Sequence, residues 1–179
     1  MRILLHNCCG PCSCYPVSHL RRLGRDVTGF FFNPNIHPYR EFERRLQALM
    51  EFAAGEEFEL IVNDSYDLHA YLGLALAAPD KERRCRTCYG IRLDEVAREA
   101  ALRGFDAFST TLLVSPYQAH ESVREAGTEA SRRHGVEFHY EDFRSGWPET
   151  VRMAREKGLY RQGYCGCVFS EAERYRRRS

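Results

Sequence analysis

The sequence lacks the features of several specialised protein classes. No apolar run approaches the roughly 18 residues of a membrane span, and the N-terminal stretch is too short and cysteine-rich for a signal peptide. We find no internal repeat, linker or low-complexity segment, and the net charge of +1 excludes a globally basic surface. The sequence therefore predicts one soluble domain over residues 1–179, located in the cytoplasm and without a membrane partner.

What the chain has in excess is cysteine. Eight cysteines fall into three tight groups, at positions 8–14, 85–88 and 165–167. Structural disulfides are rare in the cytoplasm, and cysteines used as small apolar core residues would be scattered singly. The grouping therefore favours metal or cluster binding over either alternative.

Short apolar runs alternate with helical patterns along the whole chain. The predicted strands are residues 2–6, 27–32, 58–62, 107–110 and 136–140. The predicted helices are residues 16–23, 39–54, 68–76, 85–103, a segment ending near 134, 148–157 and a short basic C-terminal helix. Such alternation predicts an α/β fold with an open, mostly parallel sheet and helices on both faces.

Three unusual segments follow predicted strands: residues 7–14, 33–38 and 110–116. In open parallel sheets ligands bind beyond the carboxyl ends of the strands, where the strand order reverses. We therefore expect these segments to form one site, with the cysteine pairs at 85–88 and 165–167 folded over it. The polar candidates for substrate binding there are Asn33, Asn35, His37, Thr110, Thr111, Ser115, Tyr117 and Tyr164.

The residues alone leave the kind of sulfur site open. A structural zinc site takes four ligands, an iron–sulfur cluster collects four thiolates from distant loops, and Cys85-x-x-Cys88 also fits a thioredoxin-like redox pair. The adjacent pair Cys8–Cys9 disfavours a single zinc ion, because neighbouring side chains are expected to diverge. A four-thiolate cluster leaves up to four cysteines for a second metal, a dithiol relay or no role.

Five blocks of the sequence resemble the signature blocks of the cobalamin-independent epoxyqueuosine reductase family. They are residues 5–13, 32–38, 84–89, 109–117 and 159–167, which stand in the family's order and cover essentially the whole chain. The resemblance implies reduction of epoxyqueuosine to queuosine at the tRNA wobble position by a single metallo-reductase domain. It also implies a 4Fe-4S cluster, a second, mononuclear iron beside it and an external electron donor.

The same resemblance implies a fold similar to the nucleotide-binding α/β domains of ATP pyrophosphatases (HUP-like). The glycine-rich phosphate loop of those domains is replaced here by the cysteine loop, so we expect no ATP chemistry. On the resemblance, Cys85, Cys88 and one thiolate from each of the pairs Cys8–Cys9 and Cys165–Cys167 bind the cluster. The remaining thiolates of those two pairs bind the second iron, with one cysteine of Cys8–Cys9 on each centre.

The second iron raises the question of a carboxylate ligand. The family places one there, and some members carry an acid near the position of Cys12. Either Cys12 replaces that ligand or a more distant acid such as Asp80 supplies it. Cys9, Cys12 and Cys165 are thus the catalytic candidates, and Cys14 is a bystander. Position in the first turn of a helix is expected to lower the pKa of the thiol ligands.

Recognition of tRNA is expected to use arginines for phosphates and an aromatic ring for stacking on the base. Arg83, Arg84 and Arg86 are the phosphate candidates, and Tyr164 or Tyr117 is the stacking candidate. Two other functions remain open from the residues. One is an iron–sulfur tRNA thiolation-type enzyme, for which the ATP-binding glycine loop is missing, and the other is a zinc-stabilised nucleic-acid-binding module without catalysis.

Overall fold

The computed structural model describes residues 1–176, and its centre is a five-stranded sheet with the order β3-β2-β1-β4-β5. The strands are β1 (Arg2–His6), β2 (Asp26–Phe31), β3 (Leu60–Val62), β4 (Ala107–Thr110) and β5 (Glu137–Phe138). Every pair of neighbouring strands is parallel. The predicted α/β fold is confirmed, and within the described residues the sheet is parallel throughout.

Seven helices cover the sheet in the part of the chain that the structure describes. They are α1 (Gly10–Arg22), α2 (Tyr39–Gly55), α3 (Leu68–Ala77), α4 (Lys81–Leu102), α5 (His120–His134), α6 (Trp147–Glu156) and α7 (Val168–Tyr175). Helix α1 packs against α2 and α6, whereas α4 packs against α5. Right-handed crossovers between parallel strands place these two groups on opposite faces. Within residues 1–176, no helix has the length and apolar character that a membrane crossing requires.

The two central strands were predicted well because both of their faces are buried. Ile3, Leu4 and Leu5 of β1 and Phe108 of β4 have no exposed surface. A strand that is covered on both faces has a continuous apolar run rather than an alternating pattern. Edge strand β5 is shorter than predicted, because only Glu137 and Phe138 pair with β4.

Helix α1 begins at Gly10, well before the predicted start at Pro16. Pro11 suits the first turn, where no helical partner exists for a backbone N–H, whereas Pro16 lies inside the helix. Cys12 and Cys14 therefore lie on the helix, and only Cys8 and Cys9 occupy the turn after β1. The expectation that all four cysteines lie in a loop is wrong.

Helix α4 also begins earlier than predicted, at Lys81 instead of Cys85. Asp80 is its N-cap, and Asp80 Oδ1 accepts a hydrogen bond from the backbone N–H of Arg83 at 2.8 Å. An aspartate before a helical run is a known start signal, and the prediction missed it. Cys85 and Cys88 consequently lie beyond the first turn, three residues apart on one side of the helix.

The short helix predicted at the C-terminus is α7, although Arg177 and Arg178 of the predicted basic cluster lie outside the described residues. Its position depends on Arg84, whose Nη2 lies 2.7 Å from Glu173 Oε1 and whose guanidinium lies over the ring of Phe169. Arg84 therefore fixes α7 against the start of α4.

Replacing Gly10 by alanine is expected to destabilise the fold by about 1–3 kcal/mol, the usual range for overpacking. A Cβ atom at Gly10 would collide with the carbonyl oxygen of Ala48, so α1 and α2 would have to separate. Urea denaturation of the metal-free, reduced protein measures the effect.

The control is Gly73→Ala in α3, where no atom lies within 4 Å of the added Cβ. That variant is expected to be neutral or more stable by roughly 0.5–1 kcal/mol, because alanine favours helix. Equal stability changes in the two variants would contradict the packing argument.

Candidate metal centre

The sulfur atoms of Cys8, Cys9 and Cys12 converge at the turn between β1 and α1. All three lie within 4.8 Å of one another, and the Sγ atoms of Cys8 and Cys9 are 3.7 Å apart. The expectation that the side chains of the adjacent pair diverge is therefore wrong. Cys9 is the extended N-cap residue of α1, and both thiols of the pair face the same point.

A network of buried side chains fixes this turn. Asn7 Oδ1 accepts a hydrogen bond from the N–H of Phe30 at 3.2 Å, and Asn7 Nδ2 donates to Ser13 Oγ at 2.7 Å. Ser13 Oγ in turn donates to the carbonyl oxygen of Cys9 at 2.8 Å. Asn33 Nδ2 donates to the carbonyl oxygen of Asn7 at 2.9 Å, which joins the loop after β2 to the cysteine turn.

The loop after β4 reaches the same turn through Thr111. The backbone N–H of Cys8 donates to Thr111 Oγ1 at 3.2 Å, and the Thr111 hydroxyl lies 3.5 Å from Cys8 Sγ. Strands β1 and β4 are neighbours at the place where the strand order reverses. The three segments therefore meet at the topological switch point, which confirms that they form one site.

Thr110 and His6 connect the ends of the strands that lead into the site. His6 Nε2 donates to the carbonyl oxygen of Phe32 at 3.1 Å, and its Nδ1 accepts from Thr110 Oγ1 at 2.9 Å. The Thr110 hydroxyl also accepts from the N–H of Leu112 at 3.1 Å. Burial lowers the pKa of His6 to about 4, so the ring is neutral. Thr110 is thus engaged in holding adjacent strands rather than facing a substrate.

The second group of thiols comes from α4 and from residues 160–167, a segment between α6 and α7 that we call the C-terminal strap. Cys88 and Cys167 pack around Tyr71 of α3, whose hydroxyl donates to Cys167 Sγ at 3.4 Å. Burial and then the neighbouring Cys165 raise the pKa of Cys85. The structure thus brings Cys85-x-x-Cys88 and Cys165-x-Cys167 together, as the sequence predicted.

Burial, and not helix position, dominates the acidity of most of these thiols. It raises the pKa of Cys88 to about 11 and also raises that of Cys9. Cys8 differs, because a hydrogen bond from the Cys12 thiol holds its pKa well below the usual value, and the same bond raises the pKa of Cys12. The expectation that first-turn positions lower the thiol pKa values is wrong for Cys12, the third residue of α1, whose pKa is raised, and it does not apply to Cys85, which lies outside the first turn of α4.

A buried arginine positions the C-terminal strap. Arg45 is 1% exposed, and its Nε donates to Glu41 Oε1 at 2.7 Å. Its Nη1 and Nη2 donate to the carbonyl oxygens of Cys165 and Tyr164, both at 3.0 Å. Tyr160 adds a further contact, because its hydroxyl donates to Glu41 Oε2 at 2.6 Å. Helix α2 therefore determines where the strap cysteines lie.

A second buried arginine, Arg92, lies between the two groups of thiols. Its Nε donates to the carbonyl oxygen of Cys88 at 3.1 Å, and its charge interacts with the thiols of both Cys88 and Cys8. A positive charge in a buried site favours the thiolate form that metal binding requires.

The sequence analysis missed Arg45 and Arg92, although the helical patterns carry a signal. Arg45 lies on the buried stripe of α2 between Phe42 and Leu49, and Arg92 precedes Val96 by one helical turn on the buried face of α4. A charged residue at a core position of an amphipathic helix indicates a buried partner.

The remaining predicted substrate residues differ in what their side chains contact. Asn35 and His37 are buried, and Asn35 Oδ1 and His37 Nε2 have no hydrogen-bond partner within residues 1–176. Tyr164 is engaged structurally, because its hydroxyl donates to the carbonyl oxygen of His37 at 2.5 Å. Tyr117 is 81% exposed, and its backbone N–H donates to Ser115 Oγ at 3.3 Å. Ser115 thus supports the loop that presents Tyr117.

Asp80 and Cys14 contribute no atom to the clustered thiols. The carboxylate of Asp80 caps α4 and faces Arg83, and the thiol of Cys14 lies 3.6 Å from the carbonyl oxygen of Gly10. Cys12 Sγ lies within 4.8 Å of the sulfur atoms of Cys8 and Cys9, so the three thiols could hold a metal ion together. A donor set made of thiols suits zinc or iron–sulfur chemistry and does not suit magnesium or calcium, so these residues fit a soft metal centre.

Comparison with known proteins gives consistent matches over almost the whole chain. A family model described as "Epoxyqueuosine reductase QueH" matches residues 3–173. A relative of that name from Dehalococcoides mccartyi is 37% identical over 97% of this chain and 94% of its own length. Another from Thermotoga maritima is 37% identical over 96% of this chain and 91% of its own length.

The fold is shared with a solved structure of much lower sequence identity. A chain described as a predicted subunit of tRNA methyltransferase from Methanocaldococcus jannaschii aligns with a TM-score of 0.56 and 13% identity. The alignment covers 87% of this chain and 76% of that one. At this identity the likeness shows the fold alone.

Replacing Arg45 by methionine is expected to destabilise the protein by about 3–5 kcal/mol, because Glu41 is then left buried without its partner. Two strap carbonyl groups lose their donors as well. Urea denaturation of the reduced, metal-free protein measures the change. The matched control is Arg40→Met, an exposed position on the same helix, which is expected to change stability by less than about 0.5 kcal/mol. A small change in both variants would show that the Arg45 contacts contribute little.

Proposed function

Because this chain belongs to the epoxyqueuosine reductase family QueH, we propose that it converts epoxyqueuosine at the tRNA wobble position to queuosine. The reaction breaks both C–O bonds of the epoxide and forms a carbon–carbon double bond. It consumes two electrons and two protons, and the oxygen leaves as water. The observation that carries the proposal is the gathering of Cys8, Cys9 and Cys12 at the carboxyl end of β1, together with the packing of Cys88 and Cys167, which come from two other blocks, around Tyr71.

We propose that the thiols bind a 4Fe-4S cluster and an adjacent mononuclear iron. When bound, these groups supply electrons singly and an open coordination position for the epoxide oxygen. Cys85 and Cys88 hold the cluster, together with thiolates from the pairs Cys8–Cys9 and Cys165–Cys167. The remaining thiolates of these pairs hold the second iron, and Cys12 takes the place of a carboxylate ligand there.

The other residues of the site order these thiolates and offset their charge. The Thr111 hydroxyl contacts both the backbone N–H and the sulfur atom of Cys8. Arg45 and Arg92 place two positive charges beside the thiol groups without exposing them to water. The buried polar atoms Asn35 Oδ1 and His37 Nε2 are available for hydrogen bonds to the modified base.

The exposed residues near the site provide the tRNA contacts in this proposal. Tyr117 stacks on the base, because its ring is perpendicular to that of Trp147 and most of its surface is free. Arg83 and Arg86 are exposed and contribute to phosphate binding, although Asp80 and Glu125 lie beside them, whereas Arg84 is less exposed and pairs with Glu173 at 2.7 Å. The electrons come from an external donor, and we place the reaction in the cytoplasm.

Incubating the iron–sulfur-reconstituted protein with reductant and epoxyqueuosine-containing tRNA is expected to remove one oxygen atom from the nucleoside. Mass spectrometry of the digested tRNA measures this change, and an unchanged nucleoside mass would contradict the reductase function.

Cys85→Ser is expected to lose both the visible iron–sulfur absorbance and the activity, because a cluster needs four thiolates. Cys14→Ser is the matched control and is expected to retain both.

Serine variants of Cys8, Cys9 and Cys12 test the ligand assignment. If one cysteine of the adjacent pair binds each centre, only one of Cys8→Ser and Cys9→Ser loses the cluster absorbance. Loss of the cluster in both variants would instead assign the pair to the cluster as a unit. Cys12→Ser is expected to keep the cluster and lose the additional iron, as measured by iron-to-sulfide ratio.

Replacing Tyr117 by alanine is expected to weaken tRNA binding by about 1–3 kcal/mol, the usual contribution of one base-stacking aromatic. Filter binding at a fixed salt concentration measures it. Tyr117→Phe keeps the ring and is expected to bind like the unmodified chain. Equal affinity of Tyr117→Ala and Tyr117→Phe would eliminate stacking by this residue.

A further inference from the structure

Gln162 in the C-terminal strap directs its side-chain amide at the clustered thiols. Its Nε2 lies 2.9 Å from Cys9 Sγ and 3.8 Å from Cys12 Sγ. We propose that Gln162 is a positioning residue that donates hydrogen bonds to the Cys9 and Cys12 thiolates and so sets the metal affinity and reduction potential of the centre. This inference rests on the metal centre of the proposed function.

The backbone around Gln162 is fixed on both sides. The Tyr160 hydroxyl donates to Glu41 Oε2 at 2.6 Å, two residues before it, and Arg45 Nη2 donates to the carbonyl oxygen of Tyr164, two residues after it. Between these anchors the glutamine has little freedom to move away. The part of the strap that carries Gln162 is therefore held against α2 before any metal binds.

The contact made by Gln162 differs from the other hydrogen bonds to thiols. Thr111 and Tyr71 approach Cys8 and Cys167 with hydroxyl groups, at 3.5 and 3.4 Å. A hydroxyl both donates and accepts, whereas an amide nitrogen only donates. The distance of 2.9 Å from Gln162 Nε2 to Cys9 Sγ is also the shortest of these three, and the same nitrogen lies within 3.8 Å of Cys12 Sγ. Such a donor favours thiolates over thiols.

The amide orientation follows from the same chemistry. Gln162 Oε1 is buried and has no hydrogen-bond partner within residues 1–176. Rotating the amide by half a turn would direct this oxygen at the sulfur lone pairs, which repel it most strongly when the sulfurs are thiolates. The thiolate form of the sulfur atoms, which metal binding requires, therefore favours the orientation in which the amide N–H groups face them.

A hydrogen bond to a ligand sulfur withdraws part of its negative charge. It thereby stabilises the more negative, reduced state of an attached iron–sulfur centre, and hydrogen bonds to sulfur are one determinant of reduction potential. Residues that orient metal ligands in this way typically change metal affinity by about 10–100-fold when mutated. Gln162→Met keeps the side-chain length and removes the N–H donor.

The experiment compares Gln162→Met with Gln47→Met, the same substitution at an exposed position of α2. Co²⁺ titration of the reduced apo-proteins, followed by thiolate-to-cobalt absorbance, gives the affinity at the thiols. Redox titration of the iron–sulfur-reconstituted proteins gives the midpoint potential. Thermal unfolding of the apo-proteins shows whether each variant is folded.

Gln162→Met is expected to bind Co²⁺ at least about tenfold more weakly than the unmodified chain and to have a lower midpoint potential. Gln47→Met is expected to match the unmodified chain in both. Unchanged affinity and potential in folded Gln162→Met would overturn the inference while leaving the cysteine ligands in place. Thiolate-to-cobalt absorbance that is insensitive to Cys9→Ser and Cys12→Ser would also overturn it. Oxygen loss from the tRNA tests the reductase function independently of both measurements.

Discussion

The buried guanidinium of Arg45 is the contact on which the rest of the site depends. The C-terminal strap has no regular secondary structure of its own, so its cysteines have no fixed position without contacts to the body of the protein. Arg45 supplies them by donating to two strap carbonyl groups and to Glu41, which neutralises its charge. Burying a charge costs several kcal/mol, and the ion pair with Glu41 together with a hydrogen bond from each guanidinium nitrogen offsets that cost. The structural role of the Arg45–Glu41 pair is thus to position the strap.

Electrostatics sets a second constraint on the same site. Thiols gathered in a buried place resist ionisation, and burial raises the pKa of Cys9 and of Cys88. Several adjacent thiolates would repel one another unless positive charge lies close by. Arg45 and Arg92 provide that charge from the interior, on either side of the sheet's carboxyl edge. In the proposed function a metal at these thiols would complete the neutralisation, because the ligands must be deprotonated to bind it.

Much of the fold and part of the site follow from the sequence. Buried central strands have continuous apolar runs, and strand ends place residues 7–14, 33–38 and 110–116 at one edge. The start of α1 did not follow, because Pro16 suggests a first turn and the structure instead places it inside the helix. The convergence of the Cys8 and Cys9 sulfur atoms did not follow either, because adjacent side chains of an extended chain normally point to opposite sides. Arg45 and Arg92 carry a local signal, as charged residues at core positions of α2 and α4, but their partners and that of Gln162 are long-range contacts, which no local pattern specifies.

Different groups of the strap determine its position and its contacts with the thiols. The Tyr164 hydroxyl adds one side-chain anchor, because it donates to the carbonyl oxygen of His37. Arg45 itself binds carbonyl oxygens, which every residue possesses, so this contact does not depend on the side chains of the strap. Gly166 is the exception, because its φ of +111° and its approach to Ile36 and Arg45 leave no room for a Cβ atom. Side chains facing the thiols therefore change the ligands and hydrogen bonds of the centre without displacing the strap. A buried arginine in α2 fixes the geometry, and the residues of the strap determine what that geometry binds.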